Sequence, residues 1–187
     1  MPPIPRSRDD TLDQLADAFR EHGFDGASVS RLSAATKLGK ASLYHHFKTG
    51  KEGMAAAVLG RAGARFNALV LSPLRQSGNP ARRLNLMTLG LNEFYRGGEV
   101  SCLLELFGIG DAGRLFRPQL RGAILRFRQT IADVLEQAGF DRDTAESRAE
   151  EAVITIQGAL VVSRATGDRG VFQRALSSLA ERLLARV

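Results

Sequence analysis

The chain has 187 residues, 44% of them hydrophobic and 25% charged, with a formal net charge of +6. That length accommodates a buried core without disulfides or metals, and the composition excludes wholesale disorder. A single cysteine, Cys102, excludes an intramolecular disulfide and points to a reducing cytoplasm.

The periodicity is helical almost throughout and predicts an all-α chain of about nine helices. Ser7 and Asp10 have capping-box spacing, and Leu12, Leu15, Ala16 and Phe19 then line one face until His22-Gly23 ends the first helix. Ser28 starts a second helix bearing Val29, Leu32 and Ala35, which breaks at residues 37–39. A short third helix, from about Lys40 to Phe47, turns Leu43 and Phe47 inward. Thr49 and Glu52 repeat the capping-box spacing, and Met54, Val58, Ala62, Phe66 and Leu69 predict a long helix over about 51–71 that ends by Pro73 or soon after. Residues 72–80 read as a boundary loop. Leu84, Met87, Leu91 and Phe94 form the next stripe, ended by Gly97-Gly98. Residues 108–113 read as a glycine-punctuated loop, because no strand precedes a pattern that otherwise imitates a dinucleotide fingerprint. Pro118 is placed as a first helical residue, followed by Leu120, Ile124, Phe127, Ile131 and Val134. Asp141 caps a helix with an Ala-rich face, and a last helix follows Gly167-Asp168.

No apolar run reaches the ~20 residues that span a bilayer, and Met1–Arg6 lead into no stretch of signal-peptide length. Histidines and the cysteine are too scattered for a structural metal site. His45 and His46, adjacent on a helix, point in different directions and are not read as a shared site. No nucleophile elbow, P-loop or Rossmann pattern occurs, so no enzyme and no cofactor is expected.

The charge is unevenly placed. Residues 28–51 carry Arg31, Lys37, Lys40, Lys48 and Lys51 with no Asp or Glu, whereas Asp9, Asp10, Asp13, Asp17, Glu21 and Asp25 precede them. Two short helices joined by a tight turn, with a long helix behind, form a helix-turn-helix pattern whose second helix fits the major groove. The stretch from Gly26 to Phe47, with its Leu43-Tyr44-His45-His46-Phe47 core and the following Lys51-Glu52, resembles the DNA-binding signature of TetR-type transcriptional repressors. Gly50-Lys51 is similar to a branch that includes multidrug-resistance regulators.

The resemblance covers about the first 60 residues. It implies a DNA-binding domain over 1–50 and a ligand-binding and dimerisation bundle over 51–187, joined by the long helix. It implies DNA contacts by Ser28, Arg31, Lys40, Ala41, Ser42, Tyr44, His45 and Lys51. A pocket for an apolar inducer is expected near Phe66, Phe94, Leu103, Phe107, Phe116 and Phe127. A homodimer interface is expected at Ala149, Ala152, Ile156, Leu160, Phe172, Leu176 and Leu179. The expected activity is that of a cytoplasmic, ligand-responsive repressor bound as a dimer to palindromic double-stranded DNA, with no membrane partner. The alternative is a helical small-molecule binding protein or enzyme with a vestigial helix-turn-helix. One departure from the signature concerns the turn, which usually has Gly where this chain has Lys37. Lys37 must then adopt a left-handed backbone unless Gly39 takes part of the strain.

Overall fold

The computed structural model describes residues 7–186, so the expectation about Met1–Arg6 falls outside it. Among the described residues there is no strand. The helices are α1 (Arg8–Gly26), α2 (Val29–Thr36), α3 (Lys40–His46), α4 (Lys51–Arg75), α5 (Pro80–Phe94), α6 (Leu103–Leu106), α7 (Gly110–Gln137), α8 (Arg142–Thr166), α9 (Arg169–Ser177) and α10 (Leu179–Leu184).

The chain divides into two units. The N-terminal unit comprises the described residues up to Gly63 together with Leu103–Arg117; the C-terminal unit comprises Ala64–Cys102 and Pro118 onward. The N-terminal unit thus includes a segment distant in sequence.

In the N-terminal unit the Ser7 capping box forms: the Ser7 hydroxyl accepts the Asp10 N–H at 3.0 Å and the Asp10 carboxylate accepts the Ser7 N–H at 3.2 Å. Gly23, at φ 66, interrupts α1 where the sequence placed its end. Leu15 and Phe19 of α1, Leu32 of α2, Leu43 of α3 and Met54 of α4 are fully buried. The recruited segment adds Phe107, whose ring meets Phe19 at 5.3 Å, Phe24 at 5.9 Å and Phe116 at 5.7 Å. Such edge-to-face rings each add about 0.5–1.5 kcal/mol beyond area burial. On the surface, Arg61 of α4 holds Asp9 at 2.7 Å and Asp13 at 2.8 Å, which fastens α4 to α1 and raises the guanidinium's pKa above its ordinary value through the Asp13 hydrogen bond.

In the C-terminal unit Leu84, Met87 and Leu91 of α5 pack in a core with Val70 and Leu74 of α4, Ile131 and Val134 of α7, and Leu160 of α8. α4 ends at Arg75, soon after Pro73, as the sequence indicated. Residues Asn67–Leu71 form a π-turn in which the Ser72 N–H bonds the Asn67 carbonyl, and the helix continues to Arg75. α4 is long and apolar enough to cross a membrane by length and composition. Its apolar residues are instead core residues: Met54, Ala55 and Val58 are buried in one unit and Val70, Leu71 and Leu74 in the other.

Pro118 is not a first helical residue. α7 starts at Gly110, so Pro118 lies inside it. The glycines read as loop punctuation serve close approach: a Cβ on Gly113 would stand 2.6 Å from the Gly108 carbonyl oxygen. Thr49 does not cap α4; Gly50, at φ 64, stands directly before Lys51.

Candidate nucleic-acid interface

α3 owes its exposed face to two anchors. Leu43 is fully buried and Phe47, just past the helix, nearly so, which leaves Lys40, Ala41, Tyr44, His45 and His46 exposed and Ser42 half-buried. No carboxylate lies on α3. An exposed face with a lysine at its first position, small residues after it and an aromatic hydroxyl is suited to a duplex groove. Lys donates to guanine O6/N7, Ala packs on a thymine methyl and Ser bonds either kind of edge. Tyr44, half exposed, lies with its ring against Gly50, where an added Cβ would stand 3.2 Å from Cε1.

The turn before α3 is braced by small hydroxyls. The Ser33 hydroxyl donates to the Leu38 carbonyl at 2.6 Å, and the buried Thr36 hydroxyl donates to the Leu32 carbonyl at 2.8 Å. Lys37 takes the left-handed conformation, φ 54 and ψ 23, in full. Gly39 shares none of it: its φ of −62 and ψ of 151 are ordinary extended backbone at the α3 N-cap. Sequence reasoning missed the Ser33 and Thr36 braces. The signal was two hydroxyl residues flanking a turn, where side chains compete for backbone groups.

Ser28 is the α2 N-cap, its hydroxyl accepting the Arg31 N–H at 3.3 Å while the residue stays exposed. Arg31 and Lys51 are less free than the sequence suggests. One Arg31 Nη donates to the Gly26 carbonyl at 2.7 Å. Lys51 Nζ donates to the Phe24 carbonyl at 3.0 Å and lies 4.4 Å from the Phe24 ring centroid. Both therefore also tie the N-terminal helices together. The exposed lysines around α3 are Lys37, Lys40 and Lys48, and two of these were not among the expected contacts.

The expected pocket residues divide between the two units. Leu103, Phe107 and Phe116 belong to the core of the N-terminal unit, whereas Phe66, Phe94 and Phe127 belong to the C-terminal unit. The latter form a cluster of their own, with Phe66 at 5.2 Å from Phe94 and 5.0 Å from Phe127. A cleft of about 720 Å³ in the N-terminal unit is lined by none of the six; Tyr44, Lys48, Lys51, Asp111 and Arg114 border it.

The expected interface residues are likewise inside the chain. Ala149, Ala152, Ile156, Leu160, Phe172, Leu176 and Leu179 are all buried within a single copy. α8 is apolar on more than one side. Its outward apolar residues are Ile154, 63% exposed, with Val161 and Val162, each 46% exposed. The Ala-rich stripe looked like an interface because small residues permit close helix approach; here they permit it within the bundle. No cluster of potential metal ligands occurs among the described residues.

Two family models match the chain. The model for bacterial regulatory proteins of the tetR family matches residues 12–58, and the model for the LmrA/YxaF-like transcriptional regulator C-terminal domain matches residues 101–178. No curated protein matches. Among solved structures, a TetR transcriptional regulator from Legionella pneumophila aligns with TM-score 0.79 at 18% identity, covering 96% of this chain and 98% of that one. A TetR regulator from Chloroflexus aurantiacus aligns with TM-score 0.78 at 22% identity, covering 96% and 95%. A transcriptional regulator from Rhodococcus sp. aligns with TM-score 0.73 at 23% identity, covering 96% of each chain. At these identities the likeness establishes the fold, which runs the length of the chain.

Proposed function

The chain belongs to the TetR family of transcription regulators, and from that premise we propose that it is a ligand-responsive repressor acting in the cytoplasm as a homodimer on a palindromic operator. The observation that carries this reading is the exposed, carboxylate-free face of α3 with Lys37, Lys40 and Lys48 around it. One such helix reads only a few base pairs. Specificity therefore calls for a second copy, with half-sites about one helical turn apart, ~34–36 Å.

Lys40, Ala41, Ser42 and Tyr44 are assigned to base edges, His45 to the groove wall, and Ser28, Arg31 and Lys51 to backbone phosphate. Lys37 and Lys48 join the phosphate contacts, since no hydrogen bond or ion pair engages their ammonium groups among the described residues. The outward stripe of Ile154, Val161 and Val162 on α8 supports a dimer joined there. The half-buried Phe66 and Phe94 rings, with Phe127 behind them, support an apolar inducer in the C-terminal unit. An inducer acts only if it binds the non-operator conformation more tightly.

The test is fluorescence anisotropy with duplexes from the intergenic DNA upstream of the gene, titrated with salt. Tight binding to one region is expected, with log K falling steeply as log salt rises, by about 0.9 per phosphate neutralised. Absence of salt-dependent binding to any duplex from that region would refute the reading.

A further inference from the structure

Arg83 of α5 is 6% exposed, and no carboxylate lies within ion-pair distance of it among the described residues. Its Nε donates to the Leu74 carbonyl at 2.9 Å, its Nη2 donates to the same carbonyl, and its Nη1 donates to Gln137 Oε1 at 2.6 Å. Leu74 lies in the last turn of α4, and Gln137 is the last residue of α7. The guanidinium thus bridges a backbone carbonyl in the last turn of α4, where the helix dipole supplies part of the negative field an acid would provide, and the side-chain oxygen of the last residue of α7.

Burying a charge is costly, and here the cost is offset by the Leu74 carbonyl and Gln137 amide oxygens that the guanidinium satisfies. A rigid fork of donors can do what an apolar side chain cannot: hold two helix ends in one mutual register. These two helices are also the ones whose opening turns, up to Gly63 in α4 and Gly110–Arg117 in α7, lie in the N-terminal unit.

A second observation falls on the same pair of helices. Pro73 has no N–H to offer the Leu69 carbonyl four residues back. That carbonyl packs directly on Gly90 of α5, where any Cβ would collide with it. α5 therefore meets α4 at two carbonyls, Leu69 and Leu74, on either side of the end of the π-turn. The π-turn is the place where the helix carries slack in its hydrogen bonding.

We propose that Arg83 is a positioning residue for operator recognition: by clamping the ends of α4 and α7 it fixes their register, and through it the spacing that the two recognition helices of a dimer present to DNA. This rests on the dimeric operator-binding reading above. Gln137 is exposed, so its side of the clamp can be altered separately from Arg83.

The experiment uses full-length protein and a duplex selected by it from random DNA. Wild type, Arg83→Met, Arg83→Lys and Gln137→Ala are compared on duplexes with a base pair added or removed between half-sites, and on a single half-site. Wild type is expected to lose about tenfold in affinity on a spacing change, the scale of a mismatched pair. Arg83→Met should lose less than about threefold, at unchanged half-site affinity, with Arg83→Lys and Gln137→Ala between the two. Hydrogen exchange should show amides in the last turns of α4 and α7 losing protection about tenfold while α2 and α3 keep theirs. An Arg83→Met or Gln137→Ala protein with the wild-type spacing profile overturns the proposal, as does loss of half-site binding in step with full-site binding. A wild type indifferent to spacing overturns the dimeric reading instead. Unchanged exchange at both helix ends then overturns the clamp by itself.

Discussion

Lys37 offers a test in which backbone strain and charge separate. It holds φ 54 and ψ 23 at the turn before α3, and its N–H donates to the Ala34 carbonyl at 3.3 Å. The left-handed conformation costs a residue with a Cβ roughly 1–2 kcal/mol, a penalty that glycine escapes. Glycine gives back roughly 0.5–1 kcal/mol through the greater freedom of its unfolded chain. Lys37→Gly should therefore stabilise the fold by about 0.5–1 kcal/mol, which for a chain of this size raises Tm by about 1–4 °C. Lys37→Ala keeps the strain and loses the same ammonium, so its Tm should match wild type. On DNA the two variants should behave alike: loss of one phosphate contact lowers the salt slope by about 1 for both. Thermal denaturation with a salt titration of operator binding on each protein checks both statements. Equal melting temperatures for the glycine and alanine variants would refute the strain argument. A salt slope that differs between them would refute the assignment of Lys37 to phosphate.

Phe107→Ala should cost about 3–5 kcal/mol in urea unfolding, because the ring is fully buried among Phe19, Phe24 and Phe116. Ile154→Glu and Val161→Glu should leave the monomer fold intact by circular dichroism and shift sedimentation from dimer to monomer. Ile156→Ala on the inward side of α8 should instead lower Tm, by the about 2–5 kcal/mol typical of such core truncations. The Asp141 carboxylate accepts the Thr144 hydroxyl and N–H, which hold its pKa below the usual carboxylate value. Its charge therefore stabilises the fold fully above the unfolded value of about 3.9, and that contribution fades as pH falls through the lower folded value. Melting curves of wild type and Asp141→Asn should accordingly differ most near neutral pH and converge in strong acid.

Helix positions were legible where periodicity and caps agreed. The Ser7 box, the Gly23 stop, the Ser28 cap and the Asp141 cap all sit where local spacing put them. Breakers were misread where packing overrode them. Pro118 lies within a helix because one missing N–H is tolerable when neighbouring segments hold the backbone, and Gly113 serves contact rather than a bend. The outward face of α3 was visible in the sequence because Leu43 and Phe47, four apart, define the inward one. Tertiary partners were not visible. Nothing local states that Lys51 reaches the Phe24 carbonyl, that Phe107 joins the first helices, or that Arg83 lies buried between two helix ends. The Ala-rich face of α8 marked close packing correctly but could not say whether the neighbour was the same chain or another.

The central claim is that α3 reads duplex DNA through its first residues. The most direct measurement is the affinity of Lys40→Ala for the selected operator, for the same duplex altered at each half-site position in turn, and for unrelated DNA. The account predicts a loss of about 1–3 kcal/mol on the operator, discrimination relaxed at one base pair of each half-site, and nearly unchanged binding to unrelated DNA. Equal weakening on every duplex, or no weakening on any, would contradict it.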